Sequence, residues 1–256
     1  MSNPTFHTLG IDGDIIAYRA AASLERPIDW GDGLWTLHCN ANEVIATVDE
    51  IIDGYKKKFN AERTIVALTD SGKTFRHDLN PSYKANRKKV RKPVCLKVVK
   101  DRLIKQYGAV IYPQLEADDV LGIKATSTDK SFLLVSVDKD FKSIPCTLWN
   151  PDTDVLTTIS KGTADYYHLL QTLTGDATDG YAGCPKVGQV TAQKLIGEPR
   201  DIDVKELWPI VLNAYSKHGF QSDYVVLMAR MARILRHTEY SLETNKIKLW
   251  NPPVYE

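Results

Sequence analysis

The stretch LGIDGDIIAY (residues 9–18) decides the fold. A short apolar run ends on Asp12 and Asp14 and passes directly into a second apolar run. The same pattern returns four times. TIVALTD (64–70) ends on Asp70, and LEADDVLG (115–122) carries Glu116, Asp118 and Asp119. FLLVSVDKD (132–140) ends on Asp138 and Asp140, and GDATDG (175–180) holds Asp176 and Asp179. Strands feeding a parallel sheet bring such residues to one sheet edge, where α/β sites are built.

That many carboxylates cannot stay ionised together without cations, because like charges at close range raise one another's pKa. Hard divalent cations with oxygen ligands are the remedy, and together they point to metal-dependent phosphoryl transfer. Each pair alone has a plainer reading. Asp12-Gly-Asp14 fits a loop or helix cap, Glu116 to Asp119 fits helix N-terminal capping, Asp138-Lys-Asp140 fits a turn, and Asp176 with Asp179 fits an Asx-turn. Five such coincidences in chain order are harder to accept than one.

The chain of 256 residues has a net charge of +1, with ordinary apolar and charged fractions, so it fits one large or two small globular domains. No run of 18 apolar residues and no signal-peptide pattern is present, which predicts a cytosolic protein. Cys39, Cys95, Cys146 and Cys184 lack CxxC spacing, which predicts free thiols and no structural zinc.

Periodicity predicts a strand at Thr8–Ile11 and an amphipathic helix over Asn40–Phe59, with Val44, Val48, Ile51, Ile52 and Tyr55 on one stripe. Further strands are expected at Thr64–Thr69, Ala109–Tyr112 and Phe132–Val137, and helices at Val94–Tyr107 and Asp118–Ala125. The alternation argues for a three-layer α/β/α fold with a mostly parallel sheet. After Pro145, short edge strands are expected at Cys146–Trp149 and Val155–Ile159, and helices at Thr163–Leu173 and Asp223–Arg236. Residues 197–203 are the best linker candidate.

Two cationic features stand apart. Between Lys73 and Arg102 there are eleven Lys or Arg against two Asp. If helical, Pro81 to Arg91 would stack Lys84, Arg87, Lys88 and Arg91 on one face. The plain reading is a solvated face. The lack of an apolar stripe favours a mobile element that orders on a phosphate backbone, with Tyr83 and Phe75 available to stack on an unpaired base. The second feature is GCPKVGQVTAQKLI (183–196), a glycine turn opening a helix whose backbone N–H groups could meet a phosphate, with Lys186 and Lys194 adding charge.

The ordered set IDGDIIAY, YKANRKKVRKPV, LEADDVLG, SVDKDFKSIP, GDATDGYAG and MARILRHTEY resembles the flap-endonuclease and 5′-to-3′ exonuclease superfamily, most of all the 5′-to-3′ exonucleases of short-tailed bacteriophages. The resemblance spans roughly residues 8 to 250. It implies a PIN-like 5′-nuclease fold: a core over 1–172 with a basic helical arch at about 72–100, and a duplex-binding, helix–turn–helix-like region over 173–256. By resemblance, Asp12, Asp70, Glu116, Asp118 and Asp119 surround a first metal, and Asp138, Asp140, Asp176 and Asp179 a second, with Asp14 an extra acid. Lys84 and Arg87 reach the scissile phosphate. Tyr83, Lys88, Lys89, Arg91, Gly183, Lys186, Gly188 and Lys194 contact DNA. The turn of the second element sometimes holds K⁺, but Lys186 stands where the family often has Gly.

The implied reaction is two-metal phosphodiester hydrolysis, with Mg²⁺ or Mn²⁺ ions about 4 Å apart. Duplex, nicked or flapped DNA and RNA–DNA hybrids are the expected substrates. Phage replication proteins are possible partners, and the host cytoplasm is the expected location. Two rival readings share parts of the pattern. A haloacid-dehalogenase-type phosphatase also uses Asp-x-Asp after a strand, but Asp176 and Asp179 are one residue too close and YKANR has no role there. A DNA-binding accessory protein with a decayed site is the non-enzyme alternative, against which the acidic blocks all stand intact.

Overall fold

The computed structural model describes residues 6–127 and 131–254. In chain order the elements are β1 (Thr8–Asp12), α1 (Gly13–Ser23), β2 (Arg26–Asp29), β3 (Trp35–His38), α2 (Ala41–Phe59), β4 (Arg63–Ala67), α3 (Phe75–Leu79), α4 (Leu96–Tyr107), α5 (Ala117–Ala125) and β5 (Phe132–Val135). They continue with β6 (Thr147–Asn150), β7 (Val155–Thr158), α6 (Lys161–Thr174), β8 (Gly175–Asp176), β9 (Tyr181–Ala182), α7 (Gln189–Ile196), α8 (Val204–Ser216), α9 (Ser222–Ala232), β10 (Tyr240–Ser241) and β11 (Lys246–Ile247). Short 3₁₀ turns occupy Ala85–Lys89, Lys139–Ser143 and His237–Glu239.

The central sheet runs β4-β1-β5-β6-β7, parallel except for the edge strand β7. Alternation along the buried strands sorts side chains to two faces. Leu9, Ile11, Leu133 and Val135 pack on one face with Ala17 of α1, Val48 and Ile52 of α2, and Val99 and Leu103 of α4. Phe132 and Leu134 point to the other face, against Val120 and Leu121 of α5 and Ile234 and Leu235. Burying each such side chain contributes about 1.5–3 kcal/mol. Gly10 must be glycine because a Cβ there would lie 2.1 Å from the Phe132 ring. The expected three layers and mostly parallel sheet are therefore present.

A second apolar core joins α6, α7, α8 and α9 through Tyr166, Leu173, Ile196, Trp208, Val211 and Met228. The linker expected at residues 197–203 is instead a packed turn, since Ile202 sits in this core and Asp201 lies against Gly162. The strand expected at Ala109–Tyr112 is reduced to one parallel bridge, Val110 to Ala67, before the left-handed turn at Gln114. Helix α9 ends at Ala232 rather than continuing to Arg236, because Arg233 turns to extended backbone (ψ 118°) and its guanidinium bonds Glu239. Among the described residues, no helix is long and apolar enough to cross a membrane.

Candidate active site

The carboxyl ends of β1 and β5 and the start of α5 open onto one cavity of about 310 Å³. Asp12, Asp14, Glu116, Asp118, Asp138, Asp140, Asp176 and Asp179 line it, with Lys84, Arg87 and Lys139 as its cations. Asp12 caps α1, accepting from the Ile15 amide at 3.0 Å, and takes a weaker bond from the Ser136 hydroxyl at 3.4 Å. Asp138 caps the following 3₁₀ turn through the Asp140 amide at 2.9 Å. Asp176 accepts from the Thr178 and Asp179 amides at 2.7 and 3.0 Å, which is the Asx-turn geometry. The capping and turn roles are real and coexist with membership of the cavity.

Crowding shows in the proton affinities. Burial, reinforced by the charges of Asp14 and Asp138, pushes Asp12 up to about 7. Burial and the Asp138 charge push Asp140 up to about 6, although the Gln171 amide donates to it at 3.0 Å. Asp118 is driven well above the usual range by burial and by Asp12 and Asp138. Burial works the same way on Glu116, but Arg76 and Lys84 outweigh it and hold this carboxyl below the ordinary range.

Two of the acids expected in the metal groups are elsewhere. Asp119 is fully buried and grips Arg76 with both oxygens, at 2.6 and 2.8 Å, while also accepting from the Glu116 and Leu235 amides. It faces into the protein because helical spacing turns it away from Asp118. Asp70 accepts from the Gly72 and Gln114 amides at 3.2 and 2.9 Å and lines a neighbouring groove with Lys92, Lys97 and Lys100. Asp14 belongs to the cavity wall, but it takes the Thr69 amide at 3.0 Å and pairs with Lys100.

The cationic segment also departs from expectation. It forms no arch helix across 81–91: only the 3₁₀ turn Ala85–Lys89 forms, entered through a left-handed Lys84 (φ 53°). Lys84, Arg87, Lys88 and Arg91 therefore do not share a helical face. Instead the segment folds onto the acids. The Lys84 ammonium lies 2.6 Å from Glu116 and 3.7 Å from Asp179, and the Arg87 guanidinium pairs with Asp179. The Lys84 amide bonds the Asp179 carbonyl, and the Asn86 side chain bonds the Ala177 and Thr178 carbonyls.

Tyr83, expected to stack on a base, is buried and donates within reach of both Glu116 (2.8 Å) and Asp179 (3.0 Å). Phe75 is buried beneath the Arg76 guanidinium, 4.6 Å from its ring centre. Arg91 turns away to Glu25, Lys89 is exposed, and the Lys88 side chain lies outside what is described. Arg76, Asn86, Ser136 and Gln171 complete the surroundings of the acids. Sequence reading missed them, since their partners lie far away along the chain.

In the glycine turn, Gly183 packs against the end of α6, where a Cβ would meet the Leu173 carbonyl at 2.3 Å. Lys186 adopts a left-handed φ of 62°, the conformation glycine favours. Gly188 caps α7 without a side-chain bond, leaving exposed first-turn amides without an intrahelical partner, and Lys194 is exposed one turn on.

Among the described residues, no three Asp, Glu, His or Cys side chains are grouped closely enough to hold a metal ion as they stand. The donor chemistry nonetheless fits hard divalent cations: eight carboxylates face three cations, and burial with mutual repulsion raises the proton affinity of three of the carboxyls. Holding ions requires side-chain rotation, including release of Glu116 and Asp179 from Lys84 and Arg87.

Residues 7–169 match the model of the 5′-3′ exonuclease N-terminal, resolvase-like domain. The exodeoxyribonuclease of Enterobacteria phage T3 is 31% identical over 95% of this chain and 92% of its own length. The exonuclease of Escherichia phage T7 is likewise 31% identical, over 95% of this chain and 93% of its own. Among solved structures, a phage T5 5′-exonuclease with bound zinc superposes with a TM-score of 0.63 at 16% identity, covering 88% of this chain and 89% of that one.

Proposed function

This chain belongs to the 5′-3′ exonuclease family, and from that premise we propose that the acidic cavity hydrolyses phosphodiester bonds of DNA from the 5′ end. The observation that carries the reading is the convergence of eight carboxylates on one cavity whose wall also carries Lys84 and Arg87. Asp12, Glu116, Asp118, Asp138, Asp140, Asp176 and Asp179 would hold the ions, Mg²⁺ or in its place Mn²⁺. Two such ions supply a water made nucleophilic near neutral pH and a charge that stabilises the leaving 3′-oxygen. Asp70 and Asp119 are assigned to support rather than to metal contact because other partners take their oxygens, and Tyr83 is assigned to positioning Glu116 and Asp179 rather than to base contact because it is buried against both.

Lys84 and Arg87 now rest on carboxylates. On binding they turn to the phosphate and neutralise the charge that develops there. The exposed amides of α7, with Lys186 and Lys194, take backbone phosphates of the duplex and so carry no sequence preference. Lys186 holds the left-handed φ that glycine favours, while its positive charge opposes a cation at this turn; binding compared in K⁺ and Na⁺ tests whether K⁺ has a place there. Nicked and flapped DNA and RNA–DNA hybrids are the proposed substrates, in phage replication or recombination within the host cytoplasm.

Digestion of 5′-labelled duplex, nicked, flapped and hybrid substrates tests the reading. Mg²⁺-dependent release of short 5′ products is expected. Undiminished cleavage in chelator, or hydrolysis of a small chromogenic phosphate ester in place of DNA, overturns it.

A further inference from the structure

Helix α6 has a second charged site at its other end. Its C-terminal half reaches the acidic cavity through Gln171, whereas Lys161 and Asp165, at its start, line a separate cavity of about 370 Å³. The same cavity is lined by Arg233, Arg236 and Trp250. Six residues of helix, about 9 Å of rise, separate Asp165 from Gln171.

The acids here do not satisfy the arginines. Glu239 accepts from Arg233 with both oxygens and from the Arg236 amide. Asp165 takes the Arg236 Nη2 at 2.7 Å and Lys161 at 2.7 Å. This leaves Arg233 Nη1 at 3.8 Å from Asp165, too far for a hydrogen bond, and Arg236 Nε with no acceptor among the described residues. Both side chains are more than nine-tenths buried, at 6% and 9% exposure. A buried guanidinium N–H without an acceptor is costly, and native proteins supply a partner. Burial and the neighbouring Arg233 charge lower Arg236 to about 10, as expected of a cation short of counter-charge. The positive end of α6, capped by Ser160, adds to the field.

We propose that this cavity binds a phosphate group, met by Lys161 and by Arg233 and Arg236 as their buried, unpartnered N–H groups turn toward it, with Trp250 in the cavity wall available to an attached nucleoside. The shared chemistry is a phosphate oxyanion, from either a free nucleotide or a DNA backbone. The site is independent of the acidic cavity and of the activity assigned to it.

The test is thermal stabilisation of the full chain in chelator by inorganic phosphate, against NaCl of equal ionic strength. Wild type should show phosphate-specific stabilisation. Lys161→Gln, a surface change, should weaken phosphate binding about threefold to tenfold, and Arg236→Met should abolish it. A Lys84→Ala/Arg87→Ala double variant should respond as wild type does. No phosphate-specific effect, an unchanged response in Lys161→Gln, or its loss in the Lys84/Arg87 variant each overturns the proposal. A nucleoside 5′-monophosphate that binds more tightly than phosphate, with the gain lost in Trp250→Phe, identifies a free nucleotide as occupant. Saturation by a short oligonucleotide alone identifies a backbone phosphate.

Discussion

The acidic cavity and the Arg76 clamp lie back to back across α5, and both are built from carboxylates and cations in a poorly solvated setting. They differ in balance. Arg76 has both oxygens of Asp119, one of Glu116 and two backbone carbonyls as acceptors, so the buried pair is closed upon itself. The cavity beside it holds eight carboxylates against three cations, and burial together with that imbalance raises proton affinities. A closed network holds a fold together; an open one waits for a counter-ion. Glu116 belongs to both, accepting from Arg76 on one side and from Lys84 on the other, and so ties the framework to the chemistry.

The sharpest way to break this contrast is to remove open-network carboxylates. Asp138→Ala with Asp140→Ala should lower cleavage by roughly a thousandfold or more, since bound metal supplies several kcal/mol of transition-state stabilisation. DNA binding should persist, because the cationic contacts lie elsewhere. Near-normal turnover of that variant in Mg²⁺ would remove these two residues from the metal assignment.

The closed network predicts the opposite phenotype. Asp119→Ala leaves Arg76 buried without its main partner and should cost about 3–5 kcal/mol of stability, with or without metal. Chemical denaturation in chelator measures it. A variant of unchanged stability that nevertheless lost metal affinity would return Asp119 to the ligand set.

Much of this contrast was legible in the sequence, and its failures share one physical cause. The strand–acid blocks place Asp12, Asp138 and their neighbours at one sheet edge by alternation and strand polarity alone, and the parallel direction of the strands follows from the same pattern, whereas their order β4-β1-β5-β6 is set by packing the pattern does not record. Asp118 and Asp119 are adjacent in the chain, so composition cannot separate them. What separates them is Arg76, more than forty residues earlier. The same holds for Tyr83 and Lys84. In isolation the segment reads as solvated and mobile, and only the far-off Glu116 and Asp179 explain why it folds inward.

Lys84 tests that inward fold. Lys84→Ala should reduce turnover about ten- to a hundredfold while changing DNA affinity little, the pattern of a group that acts on transition-state charge. A pure affinity loss would make it a docking residue.

The open network also has a pH signature. Asp12 at about 7 and Asp140 at about 6 stand above the ordinary aspartate value near 3.9, so the folded state binds more protons than the unfolded one between these limits. In chelator, their contribution to stability is fully present below about pH 4. It is lost progressively as pH rises from about 4 through 6 and 7, a fall of several kcal/mol at about 1.4 kcal/mol for each pH unit between a group's unfolded and folded values. A divalent cation, which binds the ionised form, should flatten that fall. Metal-free stability that rises from pH 5 to 8 would contradict the repulsion assigned to the cavity.

The smallest expected effect lies in the glycine turn, outside both networks. Lys186 is held at φ 62°, which costs a non-glycine residue about 1 kcal/mol, while glycine would lose more chain entropy on folding. Lys186→Gly should therefore leave stability within about 1 kcal/mol of wild type. If its ammonium neutralises one duplex phosphate, the log–log slope of DNA affinity against salt should become shallower by about 0.9. An unchanged slope would leave the α7 amides and Lys194 as the duplex grip and confine Lys186 to shaping the turn, a role that glycine would fill with less strain.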